Sequence, residues 1–243
     1  MIRFIITVII ATIFFILSIP MFLIEWIIGL ISPITRELSS RAIVRMAFRA
    51  VIFSSGVKVS YIGLENIPKE EPCLYVANHN SFFDVILTYP KMPGRVGIIS
   101  KKEFFKFYPL SIWMLFIKCL FLDRKDIKQG LKTILTAIDY IKEGISIFIF
   151  PEGTRSRTGQ MLPFKEGSFK IATKTGCPIV PVAITNTANV FENHFPKIFA
   201  ENVIIEFGKP VYPKELSKEE LKFIGERTQN TIRQMLNSHV LPE

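Results

Sequence analysis

Apolar residues fall in runs along this chain, and the length of each run separates its elements. Between Arg3 and Glu25 there is no charge over Phe4 to Ile24, about 21 residues, and Trp26-Ile27-Ile28-Gly29-Leu30-Ile31 carries the apolar character past Glu25. A helix of that length rises roughly 31 Å, close to the hydrocarbon thickness of a bilayer. The pattern predicts a long N-terminal apolar helix with Pro20 as its expected kink. A lone basic residue before the run, the length of the run and the lack of a small-x-small site after it argue against a cleaved signal peptide. Two placements are open. The helix crosses the bilayer with its N-terminus outside and Arg36, Arg41, Arg45 and Arg49 inside. Alternatively, Pro20 and Glu25 bend it into a hairpin that dips into one leaflet. Ala42 to Phe53 sets Arg45 and Arg49 one turn apart on a mostly apolar helix, which suits an interfacial helix or one packed on a domain.

Beyond residue 56 the runs shorten and alternate with segments of helical period. Strands are expected at 57–63, 73–77, 96–100, 120–124, 146–150, 179–184 and 203–207. A helix beginning near Val85 has Ser81 as its N-cap. An apolar stretch containing Pro109 and Trp113 reads as helical, as does 166–174. Ile127, Leu131, Ile134, Leu135, Ile138 and Ile141 repeat at helical spacing up to Gly144. Ser217 and Glu220 form a capping box for a last helix with Leu221, Ile224, Ile232 and Met235 on one side. The alternation predicts an α/β fold for residues 56–243, a mainly parallel central sheet flanked by helices, behind a membrane-associated helical segment at 1–55.

Composition narrows the partners. Of 243 residues 49% are hydrophobic, and 30 Lys and Arg against 21 Asp and Glu leave a net charge of +9. With a mean hydropathy of +0.33, a chain both greasy and basic points to an anionic membrane surface or an anionic substrate. Nucleic acid is disfavoured, because the basic residues are dispersed and no nucleic-acid motif occurs. Cys73, Cys119 and Cys177 lie far apart in or beside apolar runs, as reduced core residues facing a cytoplasmic compartment do. No zinc-type spacing exists, so no metal is expected, and His194 and His239 are assigned to the surface.

The candidate chemistry starts at Asn78-His79-Asn80-Ser81-Phe82-Phe83-Asp84, in a strand-to-helix turn. In an unbroken helix, side chains five residues apart point roughly 140° away from each other. A bend at Asn80-Ser81 brings His79 and Asp84 together. A carboxylate that accepts from one ring nitrogen then leaves the other as a base. The competing reading makes Asp84 the third residue of a capping box opened by Ser81. Asp123-Arg124 and the loop Pro151-Glu152-Gly153-Thr154-Arg155-Ser156-Arg157 also leave the ends of predicted strands, where ligands of such sheets gather.

Four blocks in order resemble the membrane-bound glycerolipid acyltransferases, specifically bacterial 1-acyl-glycerol-3-phosphate acyltransferases. They are Asn78-His79 with Asp84; Lys101 through Leu122-Asp123-Arg124; Phe150 through Ser156; and Ile179-Val180-Pro181-Val182-Ala183-Ile184. Cys119 departs from the small glycine that the family often carries before the second block's end. The resemblance implies transfer of an acyl group from acyl-CoA or acyl carrier protein to the sn-2 hydroxyl of lysophosphatidate, giving phosphatidate, with no cofactor beyond the co-substrate. It implies His79 as general base and Asp84 as its orienting partner. Lys101, Arg124, Glu152, Gly153, Thr154 and Arg155 are the implied substrate-binding residues, the arginines and Lys101 for the phosphate. Asp123 is expected to hold Arg124. The implied location is the cytoplasmic face of the cell inner membrane. Glycerol-3-phosphate or another lysolipid is the alternative acceptor, and a non-catalytic membrane-binding protein the alternative class.

Overall fold

Residues 1–239 are described by the structure, a computed structural model; 240–243, the end of the domain drawn from sequence, lie outside the described residues. The N-terminal segment is two antiparallel helices, α1 (Ile2–Ile31) and α2 (Pro33–Ser55). The chain does not turn at Pro20 or Glu25. It turns at Ser32, whose extended backbone and side chain cap Thr35, with Pro33 at the first helical position. Pro20 is accommodated within α1, whereas Ser32-Pro33 supplies both a cap and a φ already suited to a helix start. Glu25 is buried against α2 and accepts from Ser39 Oγ at 2.8 Å.

Along its length α1 lies against the domain. Phe4 stacks on Phe191. Phe14 and Phe22 flank Trp113, with ring centroids 5.8 and 5.1 Å away. The Trp113 indole donates to Ser18 Oγ at 2.8 Å. From Phe4 to Phe22 is about 27 Å of helix axis. The opposite side of α1 leaves Ile2, Ile9, Ile16, Leu23, Ile27 and Leu30 exposed. Of the two placements open for this helix, interfacial or packed on the domain, the structure shows the second: Arg41 and Arg45 donate to the carbonyls of Met92 and Pro90 in a short turn. Glu37 takes two hydrogen bonds from Arg95, at 3.0 and 2.6 Å. Thus α2 is packed on the domain.

In chain order the domain runs β1 (Lys58–Ile62), β2 (Leu74–Ala77), α3 (Phe83–Thr88), β3 (Arg95–Lys101), α4 (Leu110–Phe116), β4 (Leu120–Leu122), α5 (Ile127–Lys142), β5 (Ile145–Ile149), α6 (Lys170–Thr175), β6 (Ile179–Ile184), α7 (Thr187–Val190), β7 (Asn202–Phe207), α8 (Lys218–Lys222) and α9 (Ile224–Ser238). The sheet order is β1-β7-β6-β2-β5-β3-β4. All pairs are parallel except β6 with β7. Five strands therefore point one way, and β1 and β7 the other.

Two apolar layers cover the sheet. Tyr75, Phe148, Val180 and Ile205 face Val44, Leu87, Trp113 and Val190, the side of α2, α3, α4 and α7. Leu74, Ile147, Ile149 and Ile179 face Ala137, Ile171, Ile224 and Ile232, the side of α5, α6 and α9. The strands buried on both faces are the continuous apolar runs, as parallel central strands require. The three cysteines are free and buried in these layers.

Smaller differences have local causes. The segment at 166–174 begins as a 3-10 turn, Glu166–Phe169, before α6. The Ser217–Glu220 capping box forms, but the last helix is divided at Phe223. His194 is exposed, as expected for a surface histidine. His239 is half-buried and pairs with Glu206 at 2.7 Å, tying the end of α9 to β7.

Candidate active site

The end of β2 is held in place by an imitation of sheet pairing. Asn78 Nδ2 donates to the Ile184 carbonyl at 2.8 Å, and its Oδ1 accepts from the Ile184 amide at 2.9 Å. The loop after β5 then grips the next residue from both sides. The His79 amide donates to Glu152 Oε1 at 2.7 Å, and the His79 carbonyl accepts from the Ser156 amide at 2.8 Å. The imidazole stacks on Phe150, centroids 4.0 Å apart.

His79 Nδ1 lies 2.7 Å from Asp84 Oδ2. With Asp84 ionised, Nδ1 carries the proton and donates it, and Nε2 presents a lone pair. Among the described residues Nε2 has no hydrogen-bond partner, and the side chain is 17% exposed. Asp84 is fully buried. Its Oδ2 also accepts from the amides of Asn80 and Ser81, at 2.7 and 2.8 Å, and its Oδ1 from Thr187 Oγ1 at 2.5 Å. One carboxylate braces the turn and orients the ring, but the capping box does not close, because the Asp84 amide donates to the Ser81 carbonyl at 3.3 Å and not to Ser81 Oγ. The cap itself differs from expectation. Ser81 Oγ accepts from the Phe83 amide at 3.0 Å, and α3 starts at Phe83 rather than Val85.

Glu152 is 4% exposed and both its oxygens are taken, Oε1 by His79 and Oε2 by the Leu162 amide at 2.8 Å. Burial pushes its carboxyl above the usual range, and the two amides pull it back. This carboxylate positions the loop, with one amide on each oxygen. Gly153 has φ +75°, and a Cβ there would sit 2.9 Å from Lys165 Nζ, so glycine admits that ammonium group beside the loop. Thr154 is exposed.

Arg155 reaches back to the His79 turn. Its Nη1 donates to Glu192 Oε1 at 2.7 Å, and its guanidinium lies 3.9 Å above the Phe82 ring. Glu192 also accepts from the Phe82 amide at 2.8 Å and from Ser81 Oγ. Sequence reasoning missed Glu192, Thr187 and Lys165. Glu192 and Thr187 follow β6 beyond the last resembling block, and no spacing marks them.

Lys101 and Arg124 sit at the ends of β3 and β4 and do not touch the His79 cluster. Successive strands are about 4.8 Å apart, so they stand roughly 10 and 14 Å along the sheet edge from the end of β2. Lys101 pairs with Glu103 at 3.2 Å. Arg124 is exposed and makes no ion pair among the described residues. Asp123 does not hold Arg124. It pairs with Lys102 and accepts from the Lys125 amide, both of which lower its carboxyl below the usual range. In the apolar stretch between β3 and β4, Trp113 is core, while Phe105, Phe107 and Tyr108 are exposed. Among the described residues no group of three or more His, Cys, Asp or Glu could hold a metal ion.

A buried carboxylate paired with a histidine at the carboxyl end of a parallel strand, with Arg155 held beside the same turn, is equipment for proton transfer beside an anion. Comparison with known proteins agrees with that chemistry. The acyltransferase family model matches residues 58–185, and the chain belongs to that family. It is 34% identical over 182 residues to a chloroplastic 1-acyl-sn-glycerol-3-phosphate acyltransferase of Brassica napus, covering 74% of this chain and 51% of the relative. It is 32% identical over 168 residues to the 1-acyl-sn-glycerol-3-phosphate acyltransferase of Borreliella burgdorferi, covering 69% and 64%. The chain thus spans between half and two thirds of these curated relatives. The crystal structure of a 1-acyl-sn-glycerophosphate acyltransferase from Thermotoga maritima superposes with a TM-score of 0.77 at 26% identity, over 99% of this chain and 97% of that one.

Proposed function

We propose that the chain is a 1-acyl-sn-glycerol-3-phosphate acyltransferase, moving a fatty acyl group from acyl-CoA or acyl carrier protein to the sn-2 hydroxyl of lysophosphatidate. The observation that carries this reading is the Nδ1–Asp84 contact of 2.7 Å with Nε2 left open. A hydroxyl is a poor nucleophile near neutral pH. Nε2 removes its proton as the oxygen attacks the thioester carbonyl. The tetrahedral intermediate collapses with loss of the thiolate, which recovers the proton from the imidazolium. Asp84 stays ionised and stabilises that imidazolium. No enzyme nucleophile is needed, and Ser81 Oγ is engaged with Glu192. Arg155, with Lys101 and Arg124 along the sheet edge, binds the phosphate through charge-assisted hydrogen bonds. No cofactor takes part beyond the thioester.

The similarity to acyltransferases from plant plastids and bacteria supports the acceptor. The exposed apolar side of α1, held lengthwise against the domain, supports a protein seated in one leaflet, and we place it in the cytoplasmic leaflet of the inner membrane. Purified protein given lysophosphatidate or glycerol-3-phosphate with either thioester tests the reading. Thiol release is expected with lysophosphatidate. Release only with glycerol-3-phosphate or another lysolipid would reassign the acceptor, and release with none would contradict the proposal.

A further inference from the structure

The N-terminal turns of α5 expose an apolar stripe that none of the described residues covers. Ile127, Leu131 and Leu135 recur every fourth residue and are 90%, 53% and 51% exposed. The stripe sinks into the core at Ile138, so only the end nearest the ligand edge of the sheet is open. Arg124, Lys125, Lys128 and Lys132 border it, all exposed, and none makes an ion pair among the described residues. The nearby acids are occupied: Asp126 caps the first amides of α5, and Asp123 pairs with Lys102.

Three occupants are conceivable, and placement in the fold separates them. A membrane meets the exposed side of α1, but α1 and α2 pack on one face of the sheet and α5 on the other. A second copy of this chain joined about a two-fold axis would set the stripe against itself and its cations against one another. An acidic protein with an apolar helix face fits both the stripe and the charge.

We propose that this surface docks an acidic acyl carrier protein, so that the donor arrives on the side away from the bilayer. The proposal rests on the acyltransferase reading above. From the end of β4 to the end of β2 is three strand spacings, about 14 Å, a distance that a flexible prosthetic arm spans. An acyl-CoA can use the cations, but the docked protein also buries Ile127, Leu131 and Leu135.

The test compares kcat/KM with acyl carrier protein and with acyl-CoA as donors for wild type, Leu131→Glu and the double variant Lys128→Glu/Lys132→Glu. The expected result for Leu131→Glu is a loss of about tenfold or more with the carrier protein, as for removal of a central interface contact, and acyl-CoA turnover within about twofold of wild type. The double variant shows a larger loss with the carrier, steeper at low salt. Equal losses on both donors, or none, overturn the proposal. So does loss of flotation with phosphatidylglycerol vesicles, which would make the occupant a membrane, or a changed oligomeric mass. A wild type active with acyl-CoA but never with the carrier overturns the docking alone; one inert with both overturns the acyltransferase reading and the docking with it.

Discussion

Glu192 lies between Arg155 and the turn that carries His79, accepting from Arg155 Nη1 at 2.7 Å and from the Phe82 amide at 2.8 Å. One carboxylate thus neutralises Arg155 and braces the residues next to His79. With Arg155 in the proposed phosphate-binding role, an arriving phosphate competes with Glu192 for the same guanidinium. In Glu192→Gln the competition weakens and so does the brace. We expect kcat to fall about tenfold, the worth of one charge-assisted hydrogen bond, while KM for lysophosphatidate does not rise. Steady-state kinetics at saturating donor decide it; a raised KM with normal kcat would make Glu192 a substrate-binding group instead.

Glu152 holds two amides with its two oxygens. Glutamine turns a donor toward one of them, so Glu152→Gln is expected to lose about 1–3 kcal/mol of stability. The size of that loss depends on pH. Burial raises the folded-state carboxyl above its ordinary value, so its contribution is full below about pH 4.3 and declines as pH rises through the folded pKa. Glutamine does not titrate. The deficit of the variant therefore narrows as pH rises from about 4.3 through the raised folded pKa, as urea unfolding in detergent at several pH values would reveal. A deficit that widens over that interval would contradict the assignment.

Contacts at Phe4, Phe14, Ser18 and Phe22 keep α1 beside the domain, and the proposed seating in one leaflet predicts that its two ends stay on one side of the bilayer. The native thiols are a quiet background for testing this. Burial pushes Cys73 and Cys119 up to about 12 and Cys177 up to about 11, and the thiolate is the reactive form. In Ile2→Cys, a membrane-impermeant maleimide is expected to label inside-out vesicles and not sealed spheroplasts. Labelling from the outer side alone would mean that α1 crosses.

What could be read from sequence was what neighbouring residues decide. The buried strands announce themselves as apolar runs such as Ser146 to Phe150 and Ile179 to Ile184, and both ends of the His79–Asp84 contact lie within one turn. Direction was not legible: β7 has the alternation of any half-buried strand, and nothing in it says that it runs against β6. Pro20 drew the expected bend away from Ser32-Pro33, although the latter carries the stronger helix-start chemistry. Partners distant in sequence left no trace. Thr187 meets Asp84 across 103 residues, and Glu192 meets Ser81 across 111. The choice of Lys102 over Arg124 by Asp123 depends on β3 and β4 lying side by side.

The proposed chemistry depends on His79 Nε2 as the base, and the most direct measurement is the turnover of His79→Ala with lysophosphatidate and an acyl thioester. The predicted result is a fall in kcat of about 10³-fold with unchanged unfolding midpoint and vesicle binding. Turnover near the wild-type rate by a folded, membrane-bound His79→Ala protein would contradict it.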